Sequence, residues 1–541
     1  MKTKIKKFRT IGTMLLAATV LAGFTACETD PVEQKGGKLP DKETIEMVHG
    51  ILRITASTEN ETRVLLTQNS TGYVMRSFYY QQTQPVDGEL LLEARVDETL
   101  LDAYNAETGV ERALLPAANY EFPDGNQLSL APDMQRSAAV RIKFIADGLQ
   151  PGEYLLPLTV ASEDTPDESQ TVYYTVSVRE PYVDEYALHD GSDIFFVFYI
   201  NTKEYQPLLV QDYLMEKKKA RGSEVAWYGS VGNIINLRTV TVKYDEFSGR
   251  AMLDLGSDMT YVLGHASKYI WPLQEQGRKV CISLEGGGTG LGFCNLTDEQ
   301  IADFVAQVKA VVETYNLDGI NLWDRNAGYG TVEGMPETNT TSYPKLIQAM
   351  RTALGSDKLL TLTVYEEPTA TFWDTEATGG IKVGEYLDYA WSGYNSNTEA
   401  VQLLDPWHPN ESYVSGYTQK PIAGLDASKF GCINFPIYPS ASTYEEILMQ
   451  DPYFISEWVL SGYKPNKIVI FDDIRTNLQD NYEAAWDVTF ATCCTYIDDE
   501  SRYILGSSQG YKYTFDINRR LTSYETEGGG ISGYGKWLKD W

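Results

Sequence analysis

From Ile194 onward, short apolar runs alternate with longer amphipathic stretches, and this alternation constrains the fold more than any other feature of the chain. The runs are Phe195–Ile200, Asn233–Val242, Lys279–Leu284, Gly319–Trp323, Leu359–Tyr365, Tyr386–Ala390, Cys432–Ile437 and Lys467–Phe471. Near-continuous apolar runs of this length are the mark of parallel strands buried on both faces. Parallel neighbours need crossover connections, usually helices. The clearest helix is predicted over Asp298–Tyr315, where Ile301, Phe304, Val305, Val308, Val311 and Val312 recur at helical spacing. Strand and helix repeating in this way predict a (β/α)8 barrel, whose sites lie at the C-terminal ends of the strands.

The residues before it read differently. Ile51–Ala56, Arg63–Thr67, Tyr73–Tyr80, Leu90–Val96, Val140–Ile145, Tyr154–Val160 and Val172–Val178 are strand-like and separated by turn residues, with no long helical period between them. That spacing predicts a β-sandwich. At the N-terminus, Lys2, Lys4, Lys6, Lys7 and Arg9 precede an apolar run from Ile11 to Gly23, too short to cross a bilayer. Phe24-Thr25-Ala26-Cys27 follows and resembles a bacterial lipobox, which implies cleavage before Cys27 and lipidation of that residue. Glu28 to Glu43 is rich in Pro, Gly and charge and reads as a flexible tether. The predicted chain is thus multidomain: a lipoprotein signal over 1–26, a tether over 27–44, an all-β sandwich over 45–180 and an α/β (β/α)8 TIM barrel over 190–541.

Composition narrows the chemistry. Lys and Arg total 45 against 75 Asp and Glu, and a chain with net charge −30 repels nucleic acid. The lipid on Cys27 would be the sole membrane attachment. Four scattered histidines and no ligand spacing among the cysteines argue against a metal site. There is no phosphate loop and no dinucleotide fingerprint, so no cofactor is expected. Cys281 and Cys294 are a candidate disulfide that sequence leaves open, and adjacent Cys493 and Cys494 read as buried small hydrophobes.

The strand ends carry the functional signal. Strand three ends Ser283-Leu284-Glu285-Gly286-Gly287-Gly288-Thr289-Gly290. Strand four ends Asp318-Gly319-Ile320-Asn321-Leu322-Trp323-Asp324-Arg325, with Tyr329-Gly330 beyond. Strand five ends Tyr365-Glu366-Glu367, strand six carries Asp388-Tyr389-Ala390-Trp391 with Tyr394, and strand eight ends Phe471-Asp472-Asp473. These motifs, in this order, resemble glycoside hydrolase family 18, in particular its endo-β-N-acetylglucosaminidase, endoglycosidase-H-like branch. The sandwich resembles an N-terminal domain that precedes carbohydrate-active barrels in Bacteroidetes lipoproteins.

The resemblance implies a substrate-assisted mechanism. A strand-four Glu protonates the glycosidic oxygen, and an Asp two residues earlier orients the substrate's acetamido group. In this chain the Glu position is Arg325, the Asp position is Trp323, and the Asp before that is Asn321. A guanidinium keeps its proton and cannot act as this acid. The degenerate positions predict no catalytic residue. Two alternatives stay open: Asp324 as the acid in a shifted register, or a relocated acid among Glu366, Glu367, Asp472 and Asp473. Glu285, Asn321, Trp323, Arg325, Tyr329, Tyr365, Glu366, Trp391, Tyr394 and Asp472 are the candidate ligand-binding residues, with the aromatics as stacking faces and the polar groups directed at hydroxyls. The expected function is glycan binding by a cell-surface, outer-membrane lipoprotein. Its ligand would be a GlcNAc-containing glycan, N-glycans first, and it would work beside SusC/SusD-like import proteins. An active endo-β-N-acetylglucosaminidase with displaced carboxylates is the alternative.

Overall fold

The computed structural model describes residues 50–160 apart from 56 and 58, then 170–180, 195–219, 225–230, 232–365, 367–393, 402–409, 419–435, 468–471, 513–519 and 537–541. Cys27, the tether, Glu366, Tyr394, Asp472, Asp473, Cys493 and Cys494 lie outside these residues.

Among the described residues, the first body is a sandwich of ten strands. They are β1 (Gly50–Ile54), β2 (Glu61–Thr67), β3 (Tyr73–Gln82), β4 (Leu90–Val96), β5 (Ala113–Leu114), β6 (Tyr120–Glu121), β7 (Gln127–Leu130), β8 (Val140–Ile145), β9 (Gly152–Val160) and β10 (Thr171–Arg179). One sheet runs β1-β3-β8-β6, and the other β2-β10-β9-β4-β7 with β5 added on β9. Alternation sends Val140, Ile142 and Phe144 of β8 inward, where the Phe144 ring lies 5.2 Å from that of Tyr174 on β10. All seven sequence-predicted strands are present. The short β5, β6 and β7 and a helix over Leu101–Thr108 were not expected, because strands of two to four residues are too short for a period to stand out. That helix buries only Tyr104, so its sequence carries no apolar stripe. It ends at Gly109, whose φ of 68° suits a residue without a side chain.

The sandwich docks against helices on the outside of the second body. Gly72 sits flat on the buried Trp271 indole, Arg76 donates to the Gly264 carbonyl at 3.0 Å, and the Tyr73 hydroxyl donates to the Glu313 carbonyl.

The second body is the barrel. Its strands are β11 (Phe195–Asn201), β14 (Ile234–Asp245), β16 (Lys279–Gly286), β17 (Gly319–Leu322), β18 (Leu359–Val364), β19 (Tyr389–Ser392), β21 (Phe430–Gly431), β22 (Ile433–Phe435) and β23 (Ile468–Phe471). Each pairs with its neighbours in parallel. The ring closes through one segment: β21 pairs with β19, and β22, one residue on, pairs with β23. Of the remaining strands, β15 (Arg250–Asp254) folds back on β14 and β20 (Gln402–Leu403) pairs with β22. β12 (Tyr213–Lys219) pairs with both β13 (Val225–Ser230) and β24 (Tyr513–Arg519) in a separate antiparallel sheet. All eight predicted barrel strands are found. The sixth is displaced to Tyr389–Ser392 because Val383–Tyr386 is a 3-10 turn and Asp388 is held by Arg351 at 2.5 Å and by the Leu360 amide at 2.8 Å.

Strand alternation divides the barrel's apolar residues into two layers. Ile235, Leu237, Val280, Ile282, Leu284, Ile320, Leu322, Leu360 and Leu362 face outward into a large cluster shared with the helices. Val197, Tyr199, Ile234, Cys281, Trp323, Trp391, Ile468 and Ile470 form a second, smaller cluster inside the ring. The helix Asp298–Thr314 buries Ile301, Phe304, Val305, Val308 and Val312, as its spacing predicts, with Val311 half-buried at the margin.

Candidate functional site

The interior of the ring is polar at mid-height. Asn321 is fully buried, accepts from the Tyr199 hydroxyl at 3.1 Å, the Ser283 hydroxyl at 3.2 Å and the Thr363 hydroxyl at 3.2 Å, and donates to Thr361 at 3.0 Å. Tyr199 also accepts from the Trp391 indole N–H at 2.7 Å. Four strands thus meet through one amide, which is held too firmly to turn toward a ligand.

Above it lies a charged layer on an aromatic floor. Trp323 is 1% exposed and meets Tyr199 and Tyr365 edge-on, with ring centroids 5.3 and 6.3 Å away. The Arg325 guanidinium covers its ring at 3.4 Å, and Arg238 approaches at 5.6 Å. Between the two arginines sits Glu285, 1% exposed. Its Oε1 accepts from Arg238 Nε at 2.8 Å and Arg325 Nη2 at 3.2 Å, and its Oε2 accepts from Arg325 Nε at 2.8 Å. Burial alone would raise the Glu285 pKa. The two guanidinium groups outweigh it and hold the carboxyl below its ordinary value. Glu285 is therefore an ionised acceptor with both oxygens engaged, and it has no proton to donate at neutral pH.

Asp324 faces the other way. Alternation turns it out of the ring and into the strand-four loop, where it is 1% exposed. Its Oδ2 accepts from the Tyr329 hydroxyl at 2.5 Å and the Cys294 thiol at 3.3 Å, while Oδ1 has no hydrogen bond. Burial pushes its pKa up to about 6; Tyr329, Cys294 and the nearby amides of Phe293 and Cys294 oppose part of the rise, although neither amide makes a well-formed bond to it. The shifted-register alternative is thereby removed, since Asp324 lies on the opposite side of the barrel wall from Trp323 and Arg325. Cys281 and Cys294 are both free thiols, one inside the ring and one beside Asp324, so the candidate disulfide does not form.

Glu285, Asn321, Trp323, Arg325 and Trp391 are brought together around the barrel axis, with Tyr365 at their edge. Tyr329 is not among them: its hydroxyl is engaged with Asp324 and the Cys294 amide outside the wall. The indoles of Trp323 and Trp391 have no open face, because each is packed into the interior cluster. The side chains at the edge of this cluster are Arg238 and Arg325, each 16% exposed, and the half-buried Tyr365. Arg238 was not singled out in the sequence. The available signal was a charged residue inside an apolar strand, which requires a partner nearby, and Glu285 is that partner.

A family model for an N-terminal domain matches residues 52–167, within the sandwich. An endo-β-N-acetylglucosaminidase of Flavobacterium sp. (strain SK1022) is 35% identical over 155 residues, 28% of this chain and 48% of that protein. Over this stretch the chain is similar to endo-β-N-acetylglucosaminidases. A second relative, endo-β-N-acetylglucosaminidase F1 of Elizabethkingia meningoseptica, is 27% identical over 167 residues, 30% of this chain and 48% of that one. The chain thus spans about half the length of the curated relatives it matches. Among solved structures, Bacteroides thetaiotamicron EndoBT-3987 in complex with Man9GlcNAc2Asn substrate aligns at 16% identity, covering 81% of this chain and 91% of that one, with a TM-score of 0.38.

Proposed function

We propose that the protein binds GlcNAc-containing glycans, N-glycans first, at the mouth of a family-18-type barrel that does not hydrolyse them. The observation that carries this reading is the Arg238–Glu285–Arg325 cluster lying on Trp323. The family mechanism needs a protonated carboxyl and a neighbouring carboxylate on strand four. Here those positions hold a guanidinium and a capped indole, and the carboxylate within reach is kept ionised by two arginines. The named activity of the relatives supports the ligand class. Arg325 Nη1, not engaged with Glu285, supplies a donor for a hydroxyl or acetamido oxygen, and Tyr365 an apolar edge. In this reading the protein is an outer-membrane lipoprotein held at the cell surface by Cys27 and working beside SusC/SusD-like import proteins.

The test is calorimetric titration of the protein lacking its signal with a free N-glycan, followed by product analysis after prolonged incubation. Binding without product is expected, and Arg325→Ala should weaken binding roughly tenfold or more, as loss of a central arginine contact does. Turnover that disappears in Glu366→Gln or Asp472→Asn would instead establish the displaced-carboxylate enzyme. For the anchor, Cys27→Ala should release the protein from the membrane fraction; a mature N-terminus at any other residue overturns that part.

A further inference from the structure

Beside the barrel mouth, the loops that follow strands three, four and five enclose a pocket of about 420 Å3. It is lined by Cys294, Tyr329, Thr338–Thr340, Glu367, Pro368, Ala370 and Thr371, and Thr369 between them is buried. We infer that this pocket is a second carbohydrate subsite, one that takes a neutral, hydroxyl-rich sugar ring. The inference rests on the glycan-binding reading above and adds a second point of contact to it.

The chemistry of the lining selects the ligand. Glu367 carries the one charge among the described lining residues; its backbone carbonyl accepts from the Ala370 amide at 3.1 Å, and its side chain is exposed. A lone carboxylate accepts two adjacent hydroxyls of a sugar with its two oxygens, and it rejects anions. Around it stand the hydroxyls of Thr338 and Thr371, which donate and accept, and the Asn339 amide. Asn339 Oδ1 already accepts from Thr341 and Ser342, so its Nδ2 is the group left to donate. Pro368 and Ala370 add apolar surface for the C–H face of a ring. Among the described residues no lysine or arginine lines the pocket, which separates it from the two-arginine cluster at the mouth. The volume lies at the small end of the roughly 300–1,000 Å3 typical of ligand pockets, suited to one sugar residue or two.

The inner wall is preformed. Tyr329 donates to Asp324 at 2.5 Å and accepts from the Cys294 amide at 2.9 Å, so its hydroxyl is fully engaged and its ring is fixed. Asn339 is tied to strand three's loop through its amide to the Cys294 carbonyl at 2.8 Å, and Thr340 to the Ala377 carbonyl at 2.6 Å. A wall fixed in advance lowers the ordering cost of binding. Tyr329 and Arg325 lie on the same loop, four residues apart. One branched glycan could therefore engage the mouth and the pocket together, and two linked contacts raise the effective affinity of each.

The experiment titrates the signal-free protein with free mannose, galactose and N-acetylglucosamine by saturation-transfer NMR, then with a branched N-glycan by calorimetry. Glu367→Gln and Thr371→Trp are the variants; the second fills the pocket from its rim. Millimolar binding of at least one monosaccharide is expected, abolished by Thr371→Trp and weakened at least fivefold by Glu367→Gln. Branched-glycan affinity should fall about tenfold in Thr371→Trp, while a trimmed core glycan binds as in the parent. If the parent binds the branched glycan and both variants bind it equally well, the pocket assignment is overturned and the mouth reading stands. If the parent binds no glycan, the mouth reading fails as well. If Thr371→Trp shows a changed circular-dichroism spectrum, Glu367→Gln alone decides, because an exposed isosteric change leaves the fold intact.

Discussion

Asp324 shows how one residue's direction decides its chemistry. In sequence it is a carboxylate between Trp323 and Arg325; in the fold it is a buried group whose pKa is raised to about 6. The sign follows from linkage. The folded state holds the Asp324 proton more tightly than the unfolded chain, whose aspartate titrates near 3.9, so this group favours folding most below that value. Its contribution is lost as pH rises from about 4 to about 6, by up to about 3 kcal/mol. Asp324→Asn keeps an acceptor for Tyr329 and removes the charge. Urea denaturation should therefore find the variant more stable than the parent at pH 7.5, with the difference shrinking toward pH 4; a difference independent of pH would contradict the assignment. Trp323 makes the complementary point. A tryptophan where a charged residue was expected reads as a stacking platform. Its ring is instead covered by Arg325 and walled by Tyr199 and Tyr365, so Arg325 reports on ligand binding better than Trp323 does.

At the scale of elements, the helix Asp298–Thr314 was legible in nearly every respect. Its apolar stripe, its start and its first-turn acids Asp298 and Glu299 are all local features. Thr297 accepts from the Gln300 amide at 3.2 Å, and Gln300 returns a bond to the Thr297 amide at 3.0 Å. Thr297→Ala should cost about 1 kcal/mol by urea denaturation, the usual worth of a lost N-cap. The crossover after strand five was less legible. Where a helix was expected, the described chain has only the 3-10 turns Glu367–Thr369 and Val383–Tyr386. The turns keep the connection low against the barrel and shape the pocket wall at Glu367 and Pro368.

Across the whole molecule, the sandwich and the barrel share one apolar cluster. Gly72 is packed directly on the barrel body: a Cβ placed there would come within 2.7 Å of the Trp271 ring. Gly72→Val cannot be accommodated without moving the two bodies apart, and overpacking of this kind typically costs about 1–3 kcal/mol. Calorimetry should show the sandwich and barrel transitions separating in the variant relative to the parent; an unchanged melting profile would mean that the docked interface contributes little.

Strand alternation, helix periodicity and the identities at the strand ends were determined by the sequence alone, because each depends on neighbours one to four residues away. They sufficed for a sandwich followed by a (β/α)8 barrel, and for the placing of Asn321, Trp323 and Arg325 along the fourth barrel strand and its end. The partners of those residues were decided only in three dimensions. Glu285 meets Arg238 from 47 residues upstream and Arg325 from 40 residues downstream, and no local pattern records such a meeting. Asn321 looked like a ligand-directed amide, yet the closed ring encircles it with Tyr199, Ser283, Thr361 and Thr363 and makes it part of the barrel's own packing. Burial also converts Asp324 from an ordinary carboxylate into one that titrates near 6, and gathers Cys294, Tyr329 and Glu367 from three loops into one pocket wall. Desolvation and long-range pairing belong to the enclosure that the folded chain creates, so they could be read only from the tertiary structure.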